Sequence, residues 1–170
     1  MQASSATRHE AATRHEEAER QILTFTLGSR EEENSAVDYG VDLLDVQEIR
    51  GYTPATPIPN TPSYIKGALN LRGTIIPVID LRIRFGAAKL DYTKFTVIIV
   101  VNVGGKTVGM IADSVSDVLA LQASNILPPP DFGAGGGADC VDHIANLDGN
   151  LVLMLNLQKM LAPDGIVDQW

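Results

Sequence analysis

Two alternating apolar segments joined by a pair of glycines constrain the fold of this chain more than any other feature. FTVIIVVNV at 95–103 and KTVGMIADSV at 106–115 flank Gly104 and Gly105. Such a two-residue connection is typical of a β-hairpin whose turn needs positive φ angles. The sequence GGKT does not fit a phosphate-binding loop, because that motif requires a glycine where Val100 stands and a helix after it. The region therefore predicts two antiparallel strands.

Short strands separated by turn residues recur along the rest of the chain. QILTFTLG at 21–28 alternates between apolar and polar residues, and AVDYGVD at 36–42 can pair with it. LVLMLNL at 151–157 follows a turn at 148–150 and leads into a short helix at 158–161. The long helices of a βαβ sheet are missing from this pattern. The sequence thus predicts a mainly β fold of the barrel or sandwich type.

Four further segments have a less regular pattern. LLDVQEIR at 43–50 is predicted to be short and irregular, and SYIKGAL at 63–69 is compatible with one helical turn. Prolines crowd the connector at 54–62 and exclude a regular helix or a central strand there. TIIPVIDL at 74–81 predicts a strand, and Pro77 within it predicts an edge or a bulge because its nitrogen cannot donate to a neighbouring strand.

Length and charge narrow the class of protein. The 170 residues fit one domain or two small subdomains with a shared core. A formal charge of −8 argues against nucleic-acid binding, since affinity for phosphates comes largely from Lys and Arg.

Cys140 is the only cysteine, so an internal disulfide is excluded and a reducing compartment fits. The longest strongly apolar run, at 97–101, is far shorter than the ~20 residues that span a bilayer. We expect a cytoplasmic protein without membrane insertion, with residues 1–20 forming a mobile tail.

Candidate catalytic and metal-binding groups are few. There is no Gly-x-Ser-x-Gly elbow, and His143 is the only histidine outside the tail. The three acids at Asp38, Asp42 and Asp45 are interpreted as solvated or capping groups rather than a catalytic pair.

The segment DCVDH offers a metal-binding alternative. Asp139, Cys140 and His143 could act as ligands, but a structural zinc site needs a second ligand pair. A buried small thiol at the end of a loop is the favoured interpretation. We predict no catalytic residue, metal site or cofactor, and we keep a small β-barrel metal-binding protein or enzyme using these three residues as the alternative.

Two charges embedded in apolar segments point to a different kind of site. Glu48 lies between Val46 and Ile49, and Arg72 follows Leu71. Removing one charge from water costs several kcal/mol unless a partner compensates it, so we predict a Glu48–Arg72 ion pair. An equally weighted alternative is that both side chains extend to solvent.

Three segments in this order and spacing resemble the CheW-like domain family of bacterial chemotaxis coupling proteins. They are VDYGVDLLDVQEIRGY, NTPSYIKGALNLRGTIIPVIDLRIRFG and TVIIVVNVGGKTVGMIADSVSDVLAL, and the resemblance covers residues 21–162. It implies two intertwined five-stranded SH3-like β-barrel subdomains with a hydrophobic core between them and a short C-terminal helix. Residues 163–170 would then form a C-terminal tail.

The resemblance also implies a function. It indicates a non-catalytic adaptor that couples the cytoplasmic tips of chemoreceptors (methyl-accepting chemotaxis proteins) to the regulatory domain of the histidine kinase CheA and supports control of its autophosphorylation. The protein would be cytoplasmic and recruited to membrane-associated receptor arrays. The interaction residues that carry over are Val46, Glu48, Gly67 and Arg72. We expect Arg72 to lie at a barrel rim beside an apolar docking groove, and Gly67 to allow close approach of a partner.

Overall fold

The computed structural model describes residues 20–28, 37–86, 91–129 and 140–161, and within these ranges the protein is mainly β. Of the predicted N-terminal tail at 1–20, residues 1–19 lie outside the described residues and Arg20 instead begins the first strand. The predicted tail at 163–170 and Asp139 also lie outside the described residues. The strands are β1 (Arg20–Leu27), β2 (Val37–Asp42), β3 (Val46–Gly51), β4 (Ile65–Leu71), β5 (Thr74–Asp80), β6 (Val97–Val103), β7 (Lys106–Ala112), β8 (Ser114–Leu121), β9 (Ile126–Leu127), β10 (Val141–Leu147) and β11 (Asn150–Leu155). Two short α-helices, α1 (Leu81–Arg84) and α2 (Leu157–Leu161), and two 3-10 turns (Leu43–Asp45 and Ala123–Asn125) complete the described elements.

The strands form two sheets through which the chain passes in turn. The first sheet has the order β8-β1-β2-β11-β10-β9, and the second has the order β3-β6-β7-β5-β4. The chain leaves the first sheet after β2, builds the whole second sheet, and returns with β8. The predicted mainly β, intertwined fold is confirmed, and the two-residue strand β9 adds a sixth member to the first sheet.

In each sheet, one edge strand continues into a segment that pairs with the opposite edge. After β3, the proline-rich connector reaches β4, where the Thr56 amide donates to the Ala68 carbonyl at 2.9 Å and the Ala68 amide donates to the Thr56 carbonyl at 2.8 Å. After β8, the chain turns into β9, which pairs with β10. Both sheets therefore curl so that their edges are joined, as in a small barrel.

The two sheets also repeat one hairpin arrangement. The antiparallel pairs β4–β5 and β10–β11 each have a two-residue turn, Arg72–Gly73 in one and Asp148–Gly149 in the other. The second strand of each hairpin pairs in parallel with a strand of another hairpin and then leads into a helix. β5 pairs with β7 and leads into α1, and β11 pairs with β2 and leads into α2. The two hairpin turns are thus structurally equivalent positions that carry opposite charges.

Within the described ranges, three apolar clusters hold this architecture together. The largest lies between the sheets and combines side chains from both, including Phe25, Val41, Ile99 and Met110, with Met160 of α2. One further cluster belongs to each sheet: Leu71, Ile76, Val78, Ile98, Val100 and Ile111 in the second, and Ile22, Leu121, Ala145, Val152 and Met154 in the first. The predicted core between two subdomains is confirmed.

Local predictions for the strands and turns are mostly confirmed, with three corrections. The segment 43–50, predicted to be short and irregular, forms a 3-10 turn followed by the six-residue strand β3. Gly104 and Gly105 form the predicted hairpin turn with φ angles of 58° and 83°. The segment predicted as one helical turn, 63–69, is instead largely in strand β4, because pairing with β5 outweighs its local preference. Pro77 does not lie on an edge strand, since β5 is between β4 and β7, but the ladder with β7 begins only at Val78. Pro77 therefore leaves no gap in that ladder.

Candidate functional site

Arg72 lies at the tip of the β4–β5 hairpin in an uncommon backbone conformation. Its φ angle is 51° and that of Gly73 is 87°, so both turn residues have the positive φ typical of a tight two-residue hairpin. A non-glycine residue at positive φ is uncommon. The Asn70 side-chain Oδ1 accepts a hydrogen bond from the Gly73 amide at 2.9 Å. The turn thus presents a long cationic side chain at the end of the second sheet.

Arg72 and Glu48 form the predicted ion pair. Arg72 Nη2 donates to Glu48 Oε2, and the Arg72 side chain is 79% exposed while that of Glu48 is 21% exposed. Glu48 belongs to β3 and Arg72 follows β4, so the pair joins the two opposite edges of the second sheet. The other Arg72 nitrogens donate to none of the described residues. The pair therefore holds the arginine in place while leaving most of its guanidinium accessible.

Val46 does not share a face with Glu48. The β3–β6 pairing shifts register between these residues, so Val46 lies opposite Val101 and Glu48 lies opposite Val100. Val101 belongs to the cluster between the sheets, against which Val46 packs, whereas Val100 belongs to the second sheet's own cluster. A β-bulge of this kind cannot be read from the alternation of the sequence alone.

The space beside Gly67 is filled by the chain itself. Gly67 is buried with a φ of +144°, and an added Cβ would lie 2.0 Å from the Thr56 carbonyl oxygen. The close approach that was expected of a partner is therefore made by the proline-rich connector. Gly67 supports the closure of the second sheet next to the Arg72 hairpin.

Exposed apolar side chains accompany the ion pair. Ile75 on β5 lies opposite Asn70 in the hairpin, and Ile49 lies on β3 next to Glu48. Both are exposed, Ile75 at 52% and Ile49 at 43%. They provide apolar surface on β5, which follows the Arg72–Gly73 turn, and on β3, which carries Glu48, as protein-binding surfaces often do. Ile49 lies opposite Ile99 and Glu48 opposite Val100, so the two side chains point to opposite faces of β3.

A polar cleft of about 270 Å3 lies away from this surface, and neither Arg72 nor Glu48 lines it. Its lining includes Arg20, whose Nη2 is 3.0 Å from Asp42 Oδ2, and His143, whose Nδ1 is 3.8 Å from Asp142 Oδ2.

Asp42 also accepts a hydrogen bond from the Leu44 amide and caps the first 3-10 turn, which confirms its interpretation as a capping group. Burial, with a smaller effect of Asp42, raises the pKa of Asp45.

His143 makes stability depend on pH in a predictable window. Burial lowers the pKa of His143, and Asp142 does not fully offset this effect. The unfolded chain therefore binds the proton more readily, so stability is retained above the ordinary pKa of about 6.5 and falls as pH decreases below it. Urea unfolding at a series of pH values from about 5 to about 8 should show this decrease. His143→Gln should flatten it, and an unchanged pH dependence in that variant would exclude His143 as the cause.

A buried arginine cluster, which the sequence interpretation missed, lies where the chain passes between the sheets. Arg82 is 1% exposed, and its Nε and Nη2 donate to both Asp80 carboxylate oxygens at 3.0 and 2.9 Å. Its Nη1 donates to Asp113 Oδ1 at 3.1 Å and to the Asp91 carbonyl at 2.8 Å, and the guanidinium lies over the Tyr92 ring. Burial alone would lower the pKa of Arg82, but the carboxylates of Asp80 and then Asp113 raise it instead. We call Asp80, Arg82, Asp91, Tyr92 and Asp113 the Arg82 cluster.

The Arg82 cluster connects both sheets. Asp113 lies between β7 and β8, and its Oδ2 accepts a hydrogen bond from the Gly28 amide at 2.7 Å at the end of β1. Asp80 ends β5 and caps α1. The signal in the sequence was the Asp-Leu-Arg directly after an apolar strand, where a capping aspartate and an arginine two residues later can pair.

The structure gives no support to the metal-binding alternative. Cys140 is buried in the cluster between the sheets, whereas His143 lines the polar cleft. In the described parts of the chain, no group of three or more His, Cys, Asp or Glu side chains is arranged to hold a metal ion. The same residues contain no helix that is long and apolar enough to cross a membrane.

Comparisons with known proteins agree with this geometry. Residues 21–164 match the family described as the CheW-like domain. The chain is 41% identical over 145 residues to the Chemotaxis protein CheW of Klebsiella aerogenes, covering 85% of this chain and 83% of that protein. It is 33% identical over 127 residues to Protein FrzA of Myxococcus xanthus, covering 72% of this chain and 77% of the relative. The crystal structure of the scaffolding protein TtCheW from Thermoanaerobacter tengcongensis aligns with a TM-score of 0.75 at 35% identity and covers 86% of this chain and 95% of that one.

Proposed function

The chain belongs to the CheW-like domain family, and from this premise we propose that it is a non-catalytic chemotaxis scaffold that couples the cytoplasmic tips of chemoreceptors to the histidine kinase CheA. The observation that carries the proposal is the family match over residues 21–164. Relatives named as chemotaxis proteins and a structural neighbour named as a scaffolding protein support it. Binding to receptors would recruit the protein to membrane-associated arrays without any insertion into the bilayer.

We assign one docking surface to the second sheet. Arg72 supplies an exposed cation held by Glu48, and Ile75 on β5 and Ile49 on β3 supply exposed apolar area. A charged anchor with exposed apolar side chains on the adjoining strands suits a helical partner that presents acidic and apolar residues on one face. Gly67 contributes indirectly, since it allows the connector to close the sheet beside the hairpin. Val46 contributes through the packing between the two sheets.

A scaffold needs two surfaces whose relative orientation is fixed. The apolar cluster between the sheets and the Arg82 cluster join the two halves of this protein into one body. Contacts of roughly 1,200 Å2 or less would give individual affinities in the micromolar range, and an array would gain its persistence from multivalency. Receptor state would then change kinase activity by shifting the population of arrangements that the scaffold permits.

Replacing Arg72 with asparagine tests the docking surface directly. Asparagine suits positive φ, and the equivalent residue of the β10–β11 turn, Asp148, adopts a φ of 54°. We therefore expect the free energy of unfolding to change by no more than about 0.5 kcal/mol. Affinity for a receptor cytoplasmic fragment or CheA should fall at least about tenfold, because a charged hydrogen-bonding group is lost. Co-sedimentation with both partners and the kinase activity of the mixture would measure this effect.

Asp148→Asn is the matched control, since it neutralises a charge at the equivalent turn of the other sheet. We expect binding and kinase activity to be retained in this control. Wild-type binding by Arg72→Asn would show that Arg72 has no docking role. Failure of this variant to accumulate as folded protein would show that Arg72 has a structural role.

A further inference from the structure

We propose that Asn70 is a positioning residue for Arg72, an inference that rests on the proposed docking role of Arg72. The Asn70 side-chain Oδ1 accepts a hydrogen bond from the Gly73 amide at 2.9 Å, across the turn that contains Arg72. Asn70 is itself exposed and does not belong to the apolar clusters. Its described polar contact therefore acts on the shape of the turn rather than on the core.

The backbone of Arg72 needs such support. At a φ of 51°, arginine is less stable than glycine, which has no Cβ, or asparagine, whose short polar side chain can bond to the nearby backbone, so other turn conformations compete with the observed one. A different turn would point the Arg72 side chain away from Glu48, which lies on the opposite edge strand. The hydrogen bond from Gly73 to Asn70 opposes that change because it forms only when the chain folds back on itself at this position.

The same hydrogen bond recurs at two other hairpin turns of this protein. Asn146 Oδ1 accepts from the Gly149 amide at 3.0 Å, and Asn102 Oδ1 accepts from the Gly105 amide at 3.2 Å. In each case the asparagine lies three residues before the glycine that donates to it. The β6–β7 turn contains Gly104, which adopts positive φ without a steric cost. The asparagine thus has a common role in these three described turns, and among them only Asn70 precedes an exposed arginine.

This recurrence supplies matched variants. Asn70→Ala and Asn146→Ala each remove one hydrogen bond from a turn of the same type, so both should lower the free energy of unfolding to a similar extent. Only Asn70→Ala should weaken binding to a chemoreceptor cytoplasmic fragment, by about two- to tenfold, which corresponds to one neutral hydrogen bond. Asn70→Asp should restore the free energy of unfolding lost in Asn70→Ala, since its carboxylate can accept the same hydrogen bond from Gly73.

A double-mutant cycle separates positioning from direct contact. If Asn70 acts through Arg72, Asn70→Ala should have no further effect on receptor binding in an Arg72→Asn background. A full effect of Asn70→Ala in that background would overturn the inference, because Asn70 would then act independently of the arginine. Equal weakening by Asn70→Ala and Asn146→Ala would also overturn it, since general destabilisation would explain both.

The two proposals fail in distinguishable ways. If Arg72→Asn weakens receptor binding but Asn70→Ala binds like the wild type, the positioning role is wrong and the docking role stands. If Arg72→Asn binds like the wild type, the docking role itself is wrong and the positioning role falls with it.

Discussion

Replacing Arg82 with methionine is expected to lower the free energy of unfolding by about 3–5 kcal/mol. The substitution keeps an unbranched apolar stem but removes the guanidinium that donates to Asp80, Asp113 and the Asp91 carbonyl. Asp80 has no exposed surface, so its carboxylate would remain in the interior without a cation. Equilibrium unfolding in urea, followed by far-ultraviolet circular dichroism, would measure the loss.

Two further variants show whether the uncompensated charge is the cause. Arg72→Met removes an arginine from an ion pair that is largely exposed, so it should cost no more than about 1 kcal/mol. Asp80→Asn in the Arg82→Met background should recover part of the stability, because an amide keeps the cap of α1 without a buried charge. Equal costs for Arg82→Met and Arg72→Met would show that the Arg82 cluster contributes no more than a surface pair.

Replacing Gly67 with alanine is expected to destabilise the protein by at least about 2 kcal/mol. The new Cβ would lie 2.0 Å from the carbonyl oxygen and 2.5 Å from the carbonyl carbon of Thr56, and the φ of +144° disfavours any side chain. Both contacts are with backbone, so a rotamer change cannot relieve them. The connector would have to move, which would break the paired hydrogen bonds between Thr56 and Ala68.

Amide hydrogen exchange at Thr56 and Ala68, together with urea unfolding, would measure this second effect. Gly51→Ala is the matched control, because its added Cβ meets no atom within 4 Å and its φ lies outside the positive region. That control should change the free energy of unfolding by no more than about 0.5 kcal/mol. Protection at Thr56 and Ala68 that is unchanged in Gly67→Ala would contradict the assigned role of this glycine.

Features that depend on local chemistry were predictable from the sequence. The hairpin at Gly104 and Gly105 follows from turn residues that accept positive φ between two alternating segments. The Glu48–Arg72 pair was one of two equally weighted expectations for charges among apolar neighbours, and it forms. Both inferences need only the residues themselves and their immediate surroundings.

Features that depend on the three-dimensional path of the chain were not predictable in the same way. Pro77 was expected at an edge or a bulge, but strand order places β5 inside the second sheet, and the register shift of the β4–β5 pair lies between Ile65 and Gly67. Gly67 was expected to face a partner, whereas the connector occupies that space. Asp113 joins Arg82 although 31 positions separate them in the chain. In each case the decisive neighbour is distant in sequence, and residue patterns do not identify it.

The route of the chain through the two sheets has a mechanical consequence. The second sheet is inserted between β2 and β8 of the first, so no single cut in the backbone releases either barrel with all of its strands. The two halves cannot come apart or swing about a linker in the way that consecutive domains can. A torque applied to one half by a bound protein is therefore carried covalently, at both crossings, into the other half.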